Sequence, residues 1–136
     1  MSEPLEFKDV DAVLTPPEAE RYLKQVNNAL AHAQKALRRL RYQELAVERA
    51  YIEGRTRLVL SPDCPKVGRA EGCVTVEERD LWINDRISEQ YWTYRSLQVQ
   101  TRNAEDYLKA VSKQASIAQS INSNAREIYS TSGGGR

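Results

Sequence analysis

Residues 16–58 read PPEAERYLKQVNNALAHAQKALRRLRYQELAVERAYIEGRTRL, and this stretch decides the fold. Leu23, Val26, Leu30, Ala33, Leu37 and Leu40, then Val47 and Tyr51, recur at alternating steps of three and four. That spacing makes the narrow apolar seam of a coiled coil, not the broader stripe of a small globular helix. Ahead of it, Thr15-Pro16-Pro17-Glu18 writes a helix start. A hydroxyl stands at the N-cap, prolines stand where no backbone N–H is needed, and a carboxylate closes the first turn. A helix is predicted from Pro16 toward Leu58, and Gly54 is a place near its end where it could fray or kink.

Beyond this helix, residues 61–73 (SPDCPKVGRAEGC) hold too many breakers to be helical throughout, so a loop is expected at about 61–75. Thr75-Val76-Glu77-Glu78 repeats the start signal and opens a second helix, expected from about Val76 to Tyr129. Its seam reads Ile83, Ile87, Tyr94, Leu97, Ala104, Leu108, Val111, Ala115, Ala118 and Ala125. Polar residues interrupt both seams: Glu44 in the first, Gln90, Thr101 and Asn122 in the second. Such residues cost stability but can fix register and oligomeric state. Unbroken, the second helix would reach roughly 80 Å. The tail Ser130-Thr131-Ser132-Gly133-Gly134-Gly135-Arg136 is expected to be flexible.

Two helices of this length bury one face each and leave their far ends unsupported. Either a helix break folds the chain into a three- or four-helix bundle, or several hairpins associate; association is the preferred expectation. The small residues Ala115, Ala118 and Ala125 would permit close helix approach in an assembly. The expected fold is all-α, a long antiparallel helical hairpin with coiled-coil-like seams, assembling as an oligomer. Residues 1–15 form an acidic N-terminal segment, 16–129 the hairpin domain and 130–136 the tail.

With 136 residues the chain is most naturally one domain. Its net charge of +1 names no partner, but the charge is sorted. In residues 1–15, Glu3, Glu6, Asp9 and Asp11 stand against Lys8, whereas residues 16–60 hold nine Lys/Arg against five Asp/Glu. Sorted charge is where surface function usually lies. No signal-peptide pattern and no apolar run of bilayer length occurs, so a cytoplasmic protein without a membrane partner is expected. Cys64 and Cys73 lack the second ligand pair a zinc site needs, and the single histidine, His32, is remote from them. Two ordinary thiols are expected in a reducing cytosol, with a local disulfide as the alternative. No nucleophile–base arrangement and no glycine-rich phosphate cradle is present. The pairs Glu77-Glu78 and Glu105-Asp106 are explained by helix-dipole preference or solvation. The expectation is therefore a protein that is not an enzyme, with no catalytic residues, no metal and no cofactor.

The cations say more. With Leu23, Leu30 and Leu37 at heptad position a, the outward f position reads Arg21, Asn28, Lys35, Tyr42 and Arg49. Position b adds Lys24 and Arg38, Arg39 falls at c, and Arg55 and Arg57 follow at the helix end. No acid occupies f or b across that span, which covers roughly 40 Å of helix. Such a stripe is what a nucleic-acid backbone would use, or it simply solvates a helix face. Trp82 and Trp92 fall outside the seam, which suggests a base-stacking platform or a protein interface. A slip of register near Gln90 would instead put Trp92 in the core.

Three short strings carry a family resemblance: Asn27-Asn28, Tyr51-Ile52-Glu53-Gly54-Arg55, and Gln90-Tyr91-Trp92. With them, and with a layout of basic helix, central loop and long C-terminal helix, the chain resembles the small phage-encoded recombination mediators of the UvsY type. It departs from them at Glu44-Leu45-Ala46-Val47-Glu48-Arg49, which is less basic than the corresponding stretch of that family. The resemblance implies a homo-oligomer that binds single-stranded DNA and helps a RecA-like recombinase displace single-strand-binding protein, in a host bacterial cytoplasm. Arg55, Arg57 and Trp92 would then contribute to the DNA site. The contrasting expectation is a structural or adaptor coiled coil, a virion assembly component or host-protein inhibitor, that binds no nucleic acid.

Overall fold

The computed structural model describes residues 4–134, with side chains through residue 130. It is all-helical: α1 (Pro16–Val59), α2 (Val76–Arg86) and α3 (Ser88–Gly134) follow in order. Among the described residues there is no strand, only an isolated parallel bridge between Val67 and Val74 in the loop. Both predicted starts are built. Thr15 Oγ1 accepts the Glu18 amide at 3.4 Å and donates to its carboxylate at 2.9 Å. Thr75, in extended backbone, accepts the Glu78 amide at 3.1 Å. The loop closes at Gly72, whose φ of 84° favours glycine. Cys64 and Cys73 are free thiols.

Two compact units are formed, residues 1–38 with 103–136 and residues 39–102. In the first, Ala19, Tyr22 and Val26 of α1 pack with Val111, Ala115, Ala118, Ile121 and Ala125 of α3. Leu14 lies by Ile121 and Ala125, Tyr22 by Gln114, and Ala33 by Ala104, so the two helices run antiparallel there. A third layer covers them: Leu5, Ala12 and Leu14 of the acidic N-terminal segment pack on this core. The segment is held by a polar clasp. Gln114 Nε2 donates to the Lys8 carbonyl at 2.9 Å and to the Tyr22 hydroxyl, which also receives the Lys8 amide at 3.2 Å. The Lys8 ammonium lies 5.4 Å from the Tyr22 ring centroid, close enough for a cation–π attraction.

In the second unit Tyr51 is the hub. Its hydroxyl donates to Asn84 Oδ1 at 2.7 Å, and its ring meets Tyr91 and Tyr94 at centroid distances of 5.9 and 5.5 Å. Ile83 is fully buried. Burial pushes the Tyr94 phenol above its ordinary pKa, and the carboxylates of Glu48 and Glu44 push it the same way. Arg55 donates to Asp80 at 3.0 Å, and that hydrogen bond holds its guanidinium even more firmly charged than usual.

Several expectations change. The second helix is interrupted: Ile87, at φ −120° and ψ 39°, leaves helical geometry and separates α2 from α3. The seam therefore runs Ile83, Ile87, Tyr91, Tyr94, and Gln90, expected in it, is exposed. A strict heptad would carry Ile83 to position 90; the extra residue is absorbed where the helix breaks. Gly54, by contrast, does not break α1, which continues to Val59. It faces the Ile87 side chain, where an added Cβ would find its nearest neighbour at 3.7 Å, an ordinary contact. The backbone of α3 is helical to Gly134, beyond the expected end at Tyr129. The side chains of 131–136 lie outside the described residues, and the expected tail flexibility with them.

Candidate nucleic-acid interface

Burial of Ala19, Tyr22, Val26, Ala33 and Leu37 fixes which face of α1 points inward. At 100° per residue, Arg21, Lys24, Lys35 and Arg38 of the first unit fall on the opposite side and are exposed; Arg39, Arg49 and Arg57 of the second unit are exposed as well. Arg55 does not: four residues after Tyr51, it faces α2 and pairs with Asp80, which Arg79 also approaches at 3.5 Å. Two of the outward cations are answered locally. Lys24 stands 3.8 Å from Glu20 and Arg49 3.2 Å from Glu53, acids one position beside the stripe. These are exposed i,i+4 pairs, worth little and readily exchanged for another anion. Among the described residues Arg21, Lys35, Arg38, Arg39 and Arg57 make no ion pair. The first unit thus carries Arg21, Lys24, Lys35 and Arg38, and the second Arg39, Arg49, Arg55 and Arg57.

The two tryptophans differ. Trp82 is half-buried and one face is taken by the Arg86 guanidinium, 3.7 Å from the ring centroid. Trp92 is 65% exposed and makes a T-shaped contact with Tyr91 at a centroid distance of 5.1 Å. It is not core, so the register slip at Gln90 does not carry it inward.

Sequence reasoning missed a groove in the first unit, about 870 Å³ in volume. It is lined by Ala29, Ala33, Ala36 and Ala104 together with Leu5, Tyr22 and Tyr107. Gln25, Asn28 and His32 line it from α1, and Glu6 and Lys8 from the N-terminal segment. The signal was present as a row of polar residues at steps of three and four, one position outside the apolar seam. No group of three or more His, Cys, Asp or Glu side chains able to hold a metal occurs among the described residues. No described helix is long and apolar enough to cross a membrane. Comparison with protein-family models, with curated proteins and with solved structures finds no match.

Proposed function

We propose that this chain is a non-catalytic, self-associating helical protein that binds single-stranded nucleic acid through exposed cations of α1. The supporting observation is the set of exposed cations without ion-pair partners, Arg21, Lys35 and Arg38 in the first unit and Arg39 and Arg57 in the second. Repeated phosphates on a flexible strand match a row of cations better than a folded protein surface does, because each neutralised phosphate releases a counterion. The finer reading, a mediator that helps load a RecA-like recombinase onto DNA in the cytoplasm, rests on the UvsY-type resemblance.

Reversing charge in Arg38→Glu/Arg39→Glu is expected to weaken binding of a labelled single strand at least about tenfold. It should also flatten the log–log salt slope by about 1.4, since each lost phosphate contact on a single strand removes about 0.7. Fluorescence anisotropy across a salt series measures both. Unchanged affinity and slope, with helicity intact, would reject the stripe.

Self-association is proposed to use apolar residues in the second unit's part of α1, at the heptad position that holds Lys24 and Arg38 earlier in the helix. Leu45, Ile52 and Val59 recur every seven residues and are 61%, 50% and 39% exposed. Leu45→Glu/Ile52→Glu is expected to lower the mass measured by light scattering to that of one chain. A wild-type mass of one chain would instead favour the adaptor reading, with this row and Trp92 as the surface for another protein.

A further inference from the structure

We infer that the groove of the first unit receives an unstacked base of the strand whose phosphates lie on α1, an assignment that rests on the nucleic-acid reading above. Arg21, Gln25, Asn28, His32 and Lys35 step by four, three, four and three, so they stand in one row along α1. The middle three line the groove, and the two end residues are exposed and without ion-pair partners. A nucleotide needs a cation for its phosphate, hydrogen-bonding groups for its base edge and a flat apolar surface for its ring. The row offers cation, amide, amide, imidazole and cation in that order.

Tyr107, 46% exposed, supplies the aromatic surface, and the small side chains of the four lining alanines leave room for a flat ring. The volume falls within the range of about 300–1,000 Å³ usual for small-ligand sites. Glu6 gives the groove a direction. Its carboxylate would repel a phosphate and accept from a base N–H, so the phosphate belongs at the α1 edge and the base toward the N-terminal segment. Side-chain amides donate and accept, and stacking uses a face every base has, so the site is tolerant of sequence.

The test compares two labelled single strands of equal length, an oligothymidylate and a wholly abasic deoxyribose-phosphate, binding to the full chain at one salt concentration. Wild type is expected to hold the thymidylate about tenfold more tightly, in keeping with one stacked base. Tyr107→Ala, and separately Ala36→Leu, which fills the groove from an exposed position, should bring the thymidylate down to the abasic affinity. Abasic binding should not change in either. Equal wild-type affinity for the two strands overturns the groove assignment and leaves the stripe standing. So does undiminished thymidylate binding in both variants, or an equal loss on both strands. Failure of wild type to bind either strand removes the nucleic-acid reading, and the groove assignment with it.

Discussion

Shortening Ile121 to alanine is expected to lower stability by about 2–5 kcal/mol, the range for large aliphatic side chains truncated in a packed interior. Ile121 is essentially fully buried and sits where α3, α1 and the N-terminal segment meet. It also borders a second hollow of about 220 Å³, lined by residues 10–14 of that segment together with Ala125 and Ile128. Against a total of about 5–15 kcal/mol, the expected loss is a large share. Urea unfolding followed by circular dichroism gives the midpoint and slope. A loss under about 1 kcal/mol would show that the C-terminal half of α3 is not packed as described.

The next largest effect is expected from Gln114→Leu, about 1–3 kcal/mol, because it deprives the Lys8 carbonyl of its donor while leaving it covered. The Tyr22 hydroxyl loses the same partner. Tyr22→Phe removes a different corner of the same arrangement, so the two substitutions should be strongly non-additive. Loosening should be local as well as global: trypsin is expected to cut after Lys8 much faster in the Gln114 variant than in the parent. Equal stability and equal cleavage would mean the clasp contributes nothing.

The two helix starts and most of the buried residues were legible in the sequence. Val26, Ala33, Leu37, Ile83, Val111, Ala115, Ala118 and Ala125, named from heptad spacing, are all buried. Thr15 and Thr75 cap where their local patterns said they would. The buried residues missed in the first unit share one cause. Heptad reading assumes that each helix meets one neighbour, and in the first unit the N-terminal segment adds another. The buried stripes therefore widen by one position, taking in Tyr22 beside Leu23, and Gln114 and Ile121 beside Ala115 and Ala118. The acidic composition of residues 1–15 spoke for exposure, while Leu5, Ala12 and Leu14 are the residues that pack.

The candidate interface was legible only as a list of cations. Spacing placed Arg21, Lys35, Arg38 and Arg39 outward, and they are outward. It could not tell that Arg55, at the end of the same run, turns to Asp80, because that partner lies on another helix, twenty-five residues on. The groove was illegible for a related reason. Its rim is on α1, but its far wall, Tyr107, comes from α3, and only antiparallel pairing brings them together.

The Lys8–Gln114 bond spans 106 residues, and that span bears on synthesis. A ribosome adding about 5–20 residues per second completes Gln114 about 5–20 s after Lys8. Helical turns form within microseconds, so the first turns of α1 can be wound for most of that interval with Ala19, Tyr22 and Val26 bare to water. The N-terminal segment cannot latch until the strand of chain that carries its amide partner has left the exit tunnel. Newborn chains therefore pass through a sticky, half-dressed stage lasting seconds, and anything that slows elongation beyond α2 prolongs it.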